Sequence, residues 1–84
     1  MNGLMMDMQL TLPMILRRAE QYWGDKEIVT RMPDRSFHRT NYRDLMRRSR
    51  QLGVALQRLG LERGDRVATL AWNHSQHMEC YFGI

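Results

Sequence analysis

Apolar residues at Leu12, Ile15, Leu16, Ala19, Tyr22 and Trp23 recur at the i, i+3, i+4, i+7 spacing of one helix face. The spacing predicts a helix over 12–23. Thr11 can cap its start, Pro13 suits a first turn where a missing N–H costs little, and Gly24 suits its end. The pattern then changes. Glu27 to Arg31 holds the β-branched trio Ile28, Val29 and Thr30, Met32-Pro33-Asp34-Arg35 reads as a turn, and Ser36 to Thr40 is a return strand carrying Phe37. Both strands are short and polar, as in a minor sheet at the edge of something larger.

The longest stripe comes next. Tyr42, Leu45, Met46, Leu52, Leu56 and Leu59, with Ser49 and Gly53 as small members, predict a helix over 42–59. Thr40 or Asn41 can cap it and Gly60 can end it. The opposite side carries Arg43, Arg47, Arg50 and Arg58. A helix with such a stripe must bury it against another element.

After a connecting turn at 61–65, Val67-Ala68-Thr69-Leu70-Ala71-Trp72 is nearly continuous apolar sequence of strand length. A strand without alternation is covered on both faces, which predicts a buried central strand of a parallel sheet. Asn73-His74-Ser75 is a polar turn with Asn73 and Ser75 as N-cap candidates, and a helix carrying Met78, Tyr81, Phe82 and Ile84 follows. The fold class is α/β: helix, short β-hairpin, long amphipathic helix, one buried parallel strand and the start of a crossover helix. A parallel strand needs a parallel partner reached through a crossover. The sequence offers one such strand and stops in an apolar run at Ile84. The expectation is a truncated piece of one larger domain spanning 1–84, with 1–9 poorly ordered.

Composition narrows the classes. The chain has 84 residues, 43% hydrophobic and 26% charged, ordinary for a globular protein. Its single cysteine, Cys80, excludes an internal disulfide framework and fits a reducing, cytoplasmic compartment. The methionine-rich start lacks the basic region of a signal peptide, and no segment reaches the length of a membrane span. Net charge is +4, supplied by arginine apart from Lys26. The arginines are spread over several elements, the distribution of a solvated surface rather than of a phosphate-tracking block.

Candidate chemistry is sparse. His74, His77 and Cys80 carry metal-ligand atoms, with Glu79 nearby. Steps of three on a helix turn each side chain by about 60°, so His74 and Cys80 diverge by about 120°. A helix start with polar histidines is the better reading. The six glycines fall in neither G-x-G-x-x-G nor G-x-x-x-x-G-K-[ST]. No nucleophile elbow and no H-E-x-x-H is present.

Three phrases, in order, carry a resemblance. Arg39-Thr40-Asn41-Tyr42-Arg43-Asp44-Leu45 resembles the first core motif of adenylate-forming enzymes. Leu59-Gly60-Leu61-Glu62-Arg63-Gly64-Asp65-Arg66-Val67-Ala68 resembles their helix–turn–strand phrase. The ending from Ala71 to Ile84 is similar to the fatty-acyl-CoA ligase branch. The resemblance covers about Leu10 to Ile84. It implies the N-terminal portion of the large domain of a ligase that uses ATP, magnesium and coenzyme A to make acyl-adenylates and then thioesters. The family's phosphate loop, adenylate motifs, hinge and catalytic lysine would lie beyond Ile84. The 84 residues alone would then bind no cofactor and be inactive.

The implied partners are fatty acid, coenzyme A and the remainder of the large domain. A homodimer and a peripheral membrane contact are compatible with this reading, whereas nucleic acid is not expected. In open parallel sheets ligands gather at the carboxyl ends of strands. Trp72 and Asn73 would sit there with His77 a turn further on, in the neighbourhood of the acyl pocket. Core packing for Trp72 and a capping role for Asn73 are the plainer alternatives. Two other functions stay open: a small basic module for nucleic acid or anionic lipid, and an interaction domain pairing through its strand edge.

Overall fold

The computed structural model describes residues 3–84. Helix α1 spans Leu12–Trp23, strands β1 and β2 span Glu27–Arg31 and Phe37–Asn41, and helices α2 and α3 span Tyr42–Arg58 and Ser75–Gly83. The strands form one antiparallel pair with Glu27 opposite Asn41 and Arg31 opposite Phe37. Residues 3–11 form neither helix nor strand and are exposed.

Local chemistry accounts for most boundaries. The hairpin closes through Met32 N–H to the Ser36 carbonyl and Arg35 N–H to the Met32 carbonyl. Arg35 takes a left-handed φ of 70°, and Asp34 Oδ1 accepts from the Ser36 amide at 2.9 Å. This is a three-residue loop around Pro33 that ends in a left-handed residue. Asn41 caps α2 by accepting from the Asp44 amide at 2.9 Å. At the other end Gly60 N–H bonds the Gln57 carbonyl and Leu61 N–H the Leu56 carbonyl. With Gly60 at φ 94° this is a Schellman closure, which requires glycine's freedom.

Two expected caps take other forms. Thr11 is extended at the start of α1, but its hydroxyl makes no capping bond. Gly24 ends α1 at φ −53°, an ordinary right-handed value. Glycine is needed there because a Cβ would lie 2.9 Å from an Arg43 guanidinium nitrogen and 2.8 Å from the Glu20 carbonyl. The Arg43 amide also bonds the Gly24 carbonyl at 3.0 Å, joining the end of α1 to the start of α2.

The core sits where α2 meets its neighbours. Leu16 of α1 and Leu45 and Met46 of α2 are buried, with Ile28, Tyr42, Met78 and Phe82 packed around them. Helices α2 and α3 approach through small residues. A Cβ on Gly83 would meet Leu52 Cδ2 at 2.8 Å and the Ser49 carbonyl at 2.9 Å, and one on Gly53 would meet the Gly83 carbonyl at 3.2 Å. The stripe read from the sequence faces inward only in part. Leu59 is exposed beyond the end of α2, and Leu12, Ile15, Tyr22 and Trp23 of α1 are also exposed.

The expected buried parallel strand at 67–72 is not formed. These residues have no strand pairing and lie exposed, Leu70 fully so. The reason is physical: a strand satisfies its backbone only through a neighbour, and the β1–β2 pair is the sole sheet among the described residues. The exposed segments also stretch the chain. Its radius of gyration is 15.9 Å, against about 12 Å for a compact domain of this length.

Candidate functional site

The sequence points to the turn before α3. Trp72 and Asn73 border an open groove of about 450 Å³, whose other wall is the hairpin turn with Met32 and Pro33. Trp72 lies on the surface of this groove and is not part of the core. Asn73 does not cap α3. That role falls to His74, whose Nδ1 accepts from the His77 amide at 3.1 Å. His77 is not brought to the groove. Its Nε2 is hydrogen-bonded to Thr69 Oγ1 at 3.0 Å, and its ring stacks on Tyr81 with centroids 4.7 Å apart. His77 thereby tethers the 67–72 segment to α3.

Two contributors escaped the sequence reading. Histidine is not among the preferred cap residues, so His74 gave no signal. Thr30 is buried on β1, and its Oγ1 accepts from the Ser75 amide at 3.1 Å. The burial pattern of β1 turns Ile28 and Thr30 inward. A polar residue at an inward position was the available clue.

Three arginines of α2 tie it to other elements, while Arg47 pairs within the helix with Asp44. Arg43 pairs with Asp25 at 2.5 Å, Arg50 with Glu20 at 3.4 Å and Arg48 with Glu79 at 2.6 Å. A hydrogen bond to Asp25 and then its charge raise the Arg43 guanidinium above its ordinary value, and Glu79 does the same for Arg48. Most of these pairs are solvated, where an ion pair adds little to stability. Glu79, with its side chain 13% exposed, is the most enclosed partner.

A second cavity of about 450 Å³ opens between the three helices, beside Leu16, Met46, Gly53 and Phe82. Ser49 borders it, and its Oγ is buried without a hydrogen-bond partner. Among the described residues no three His, Cys, Asp or Glu side chains converge on a point where a metal could sit. The glycines fall in no phosphate-cradling sequence motif. No described helix is long and apolar enough to cross a membrane.

The amino-acid sequence has counterparts among known proteins. The family described as AMP-binding enzyme matches residues 16–84, and the chain belongs to that family. It is 45% identical over 80 residues to a long-chain-fatty-acid–CoA ligase of Thermus thermophilus, covering 95% of this chain and 15% of the ligase. It is 39% identical to a 3-methylmercaptopropionyl-CoA ligase of Ruegeria lacuscaerulensis, over 98% of this chain and 15% of that protein. It is 34% identical to a medium-chain-fatty-acid–CoA ligase of Ectopseudomonas oleovorans, over the whole chain and 15% of that protein. The chain thus spans about a seventh of the length of these relatives.

Proposed function

We propose that residues 1–84 form the N-terminal part of the large domain of a fatty-acid–CoA ligase. The observation that carries this is likeness across 95–100% of the chain to relatives that are all CoA ligases. In the proposed reaction a fatty-acid carboxylate oxygen attacks the α-phosphorus of ATP, giving acyl-adenylate and releasing pyrophosphate. The coenzyme A thiol then displaces AMP at the acyl carbon. Magnesium would offset the phosphate charge. In this reading the groups that hold ATP and coenzyme A would belong to other residues of the whole enzyme.

The acyl group is a medium- or long-chain fatty acid in this reading. Two of the relatives carry those names, and the one of highest quoted identity is the long-chain enzyme. The third is named for a 3-methylmercaptopropionyl group. Trp72 and Asn73 border the neighbourhood of the acyl pocket, with the apolar groove against Met32 and Pro33 as support. His77 contributes from behind by holding Thr69.

The test is acid-dependent exchange of labelled pyrophosphate into ATP by the full-length protein, with acids from octanoate to palmitate, followed by thioester formation with coenzyme A. Exchange with these acids and thioester product are expected. A full-length protein that exchanges with none of them would overturn the proposal.

A further inference from the structure

Ser75 is the first residue of α3, and the first amides of a helix have no partner inside it. Two side chains from outside the helix serve them. Thr30 Oγ1 of β1 accepts from the Ser75 amide at 3.1 Å. His74 Nδ1 accepts from the His77 amide at 3.1 Å, sharing that proton with the His74 carbonyl. The caps of α2 and α3 therefore share a geometry and differ in chemistry. Asn41 holds α2 with an amide oxygen, which does not titrate. A ring nitrogen accepts only while it carries no proton.

The half-buried His74 has surroundings that give a protonated ring no counter-charge. Arg31 of β1, His38 of β2 and Tyr81 of α3 are the titratable side chains lining the cavities it borders, and no carboxylate lines them. The ring of His77 is engaged with Thr69 and Tyr81. A proton on His74 therefore has two effects that add. It turns Nδ1 into a donor facing an amide that is itself a donor. It also puts a positive charge at the positive end of the helix dipole.

We propose that His74 is a pH-sensitive cap: neutral, it holds the first turn of α3 and with it the Ser75–Thr30 bond to β1, and protonated, it loosens both. Histidine ordinarily changes charge between about pH 5 and 8. Because the bond needs the neutral ring, its contribution is complete above that range and is lost as pH falls through it. The contacts involved lie within α3 and between α3 and the hairpin, so the device is independent of which reaction the protein carries out.

The experiment measures amide hydrogen exchange across residues 75–78 of the full-length protein at about pH 8 and about pH 5, the two ends of the histidine range. Each rate is divided by that of His74→Asn, whose side chain caps without titrating. The ratio cancels the effect of pH on exchange itself. It is expected to be about one at the upper pH and about five at the lower, the size of a lost cap with a cation at the dipole's positive end. His74→Ala, which has no acceptor, is expected to exchange fast at both. His38→Gln and His77→Gln remove the other two histidines and are expected to keep the rise at the lower pH.

The same ratio of wild type to H74N at both pH values overturns the proposal. A rise abolished by H38Q or H77Q overturns it as well, because the sensing group is then another ring. H74A exchanging like wild type at the upper pH would mean that the ring caps nothing. If H74A fails to fold, wild type against H74N decides.

Discussion

Helix α2 carries a single apolar stripe and the segment 67–72 is apolar nearly throughout, yet the helix organises the molecule and the segment lies open to solvent. A helix closes its hydrogen bonds within itself and needs neighbours only to cover its stripe. Leu45 and Met46 find that cover in α1, β1 and α3. A strand cannot close its own bonds. Val67 to Trp72 has side chains suited to a sheet and no neighbouring strand to accept its amides. Apolar character determines where a segment belongs; hydrogen-bond closure determines whether it can fold before its neighbours are present.

The contrast can be broken most forcefully at Leu45. It is 2% exposed, and Leu45→Ala should cost about 2–5 kcal/mol as a large-to-small core change. Urea denaturation of the folded protein measures this, and a loss below 1 kcal/mol would show that α2 is not the organising element. Next is Gly83→Ala. Its Cβ would come within 3.0 Å of Leu52 and of the Ser49 backbone, so overpacking of about 1–3 kcal/mol is expected. Restoration by the double variant with Leu52→Ala would locate the strain between α2 and α3.

A smaller effect concerns the hairpin tip. Hydrogen bonds from the Ser36 hydroxyl and amide hold the Asp34 carboxyl below its ordinary value. A lowered folded value means the carboxylate form stabilises the turn. That contribution is complete above the ordinary aspartate range of about 3.9 and is lost as pH falls through the lower folded value. An acid titration of the hairpin amide shifts should show Asp34 protonating below its ordinary range, and Ser36→Ala should raise it part of the way, because the amide bond of residue 36 remains. The smallest effect belongs to the open segment. Leu70→Ser in the 84-residue chain should change stability by less than about 0.5 kcal/mol, because nothing there is buried. A larger loss would mean that the segment is packed after all.

The same contrast explains what was legible in the sequence. Helix α1, the hairpin and α2 follow from periodicity and caps, which are local signals, and their bounds fall within a residue or so of those read from the pattern. Gly60 was legible as a helix end because the Schellman closure uses a near neighbour. The strand at 67–72 was legible as apolar, but its pairing depends on residues that are not near it in sequence. In the candidate site, Trp72 and Asn73 were found together beside a groove, whereas His77 turned to Thr69. Thr30 was missed because its partner is 45 positions away. Gly24 was read as a helix stop for a conformational reason, and the tighter constraint is the Glu20 backbone carbonyl, 2.8 Å from where a Cβ would lie, with the Arg43 guanidinium beside it.

The exposure of Val67 to Trp72 also bears on life during synthesis. Proteins leave the ribosome N-terminus first, at about 5–20 residues per second. Once this stretch emerges, its backbone is free to pair with any other strand, including the same stretch on a neighbouring nascent chain. Its flanks are charged or strongly polar: Arg63, Asp65 and Arg66 before it, Asn73 and His74 after it. Such residues beside an unavoidable apolar run act as gatekeepers against aggregation. The charged turn between α2 and this segment, with Glu62, Arg63, Asp65 and Arg66, is therefore a safeguard for the nascent chain as well as a connector.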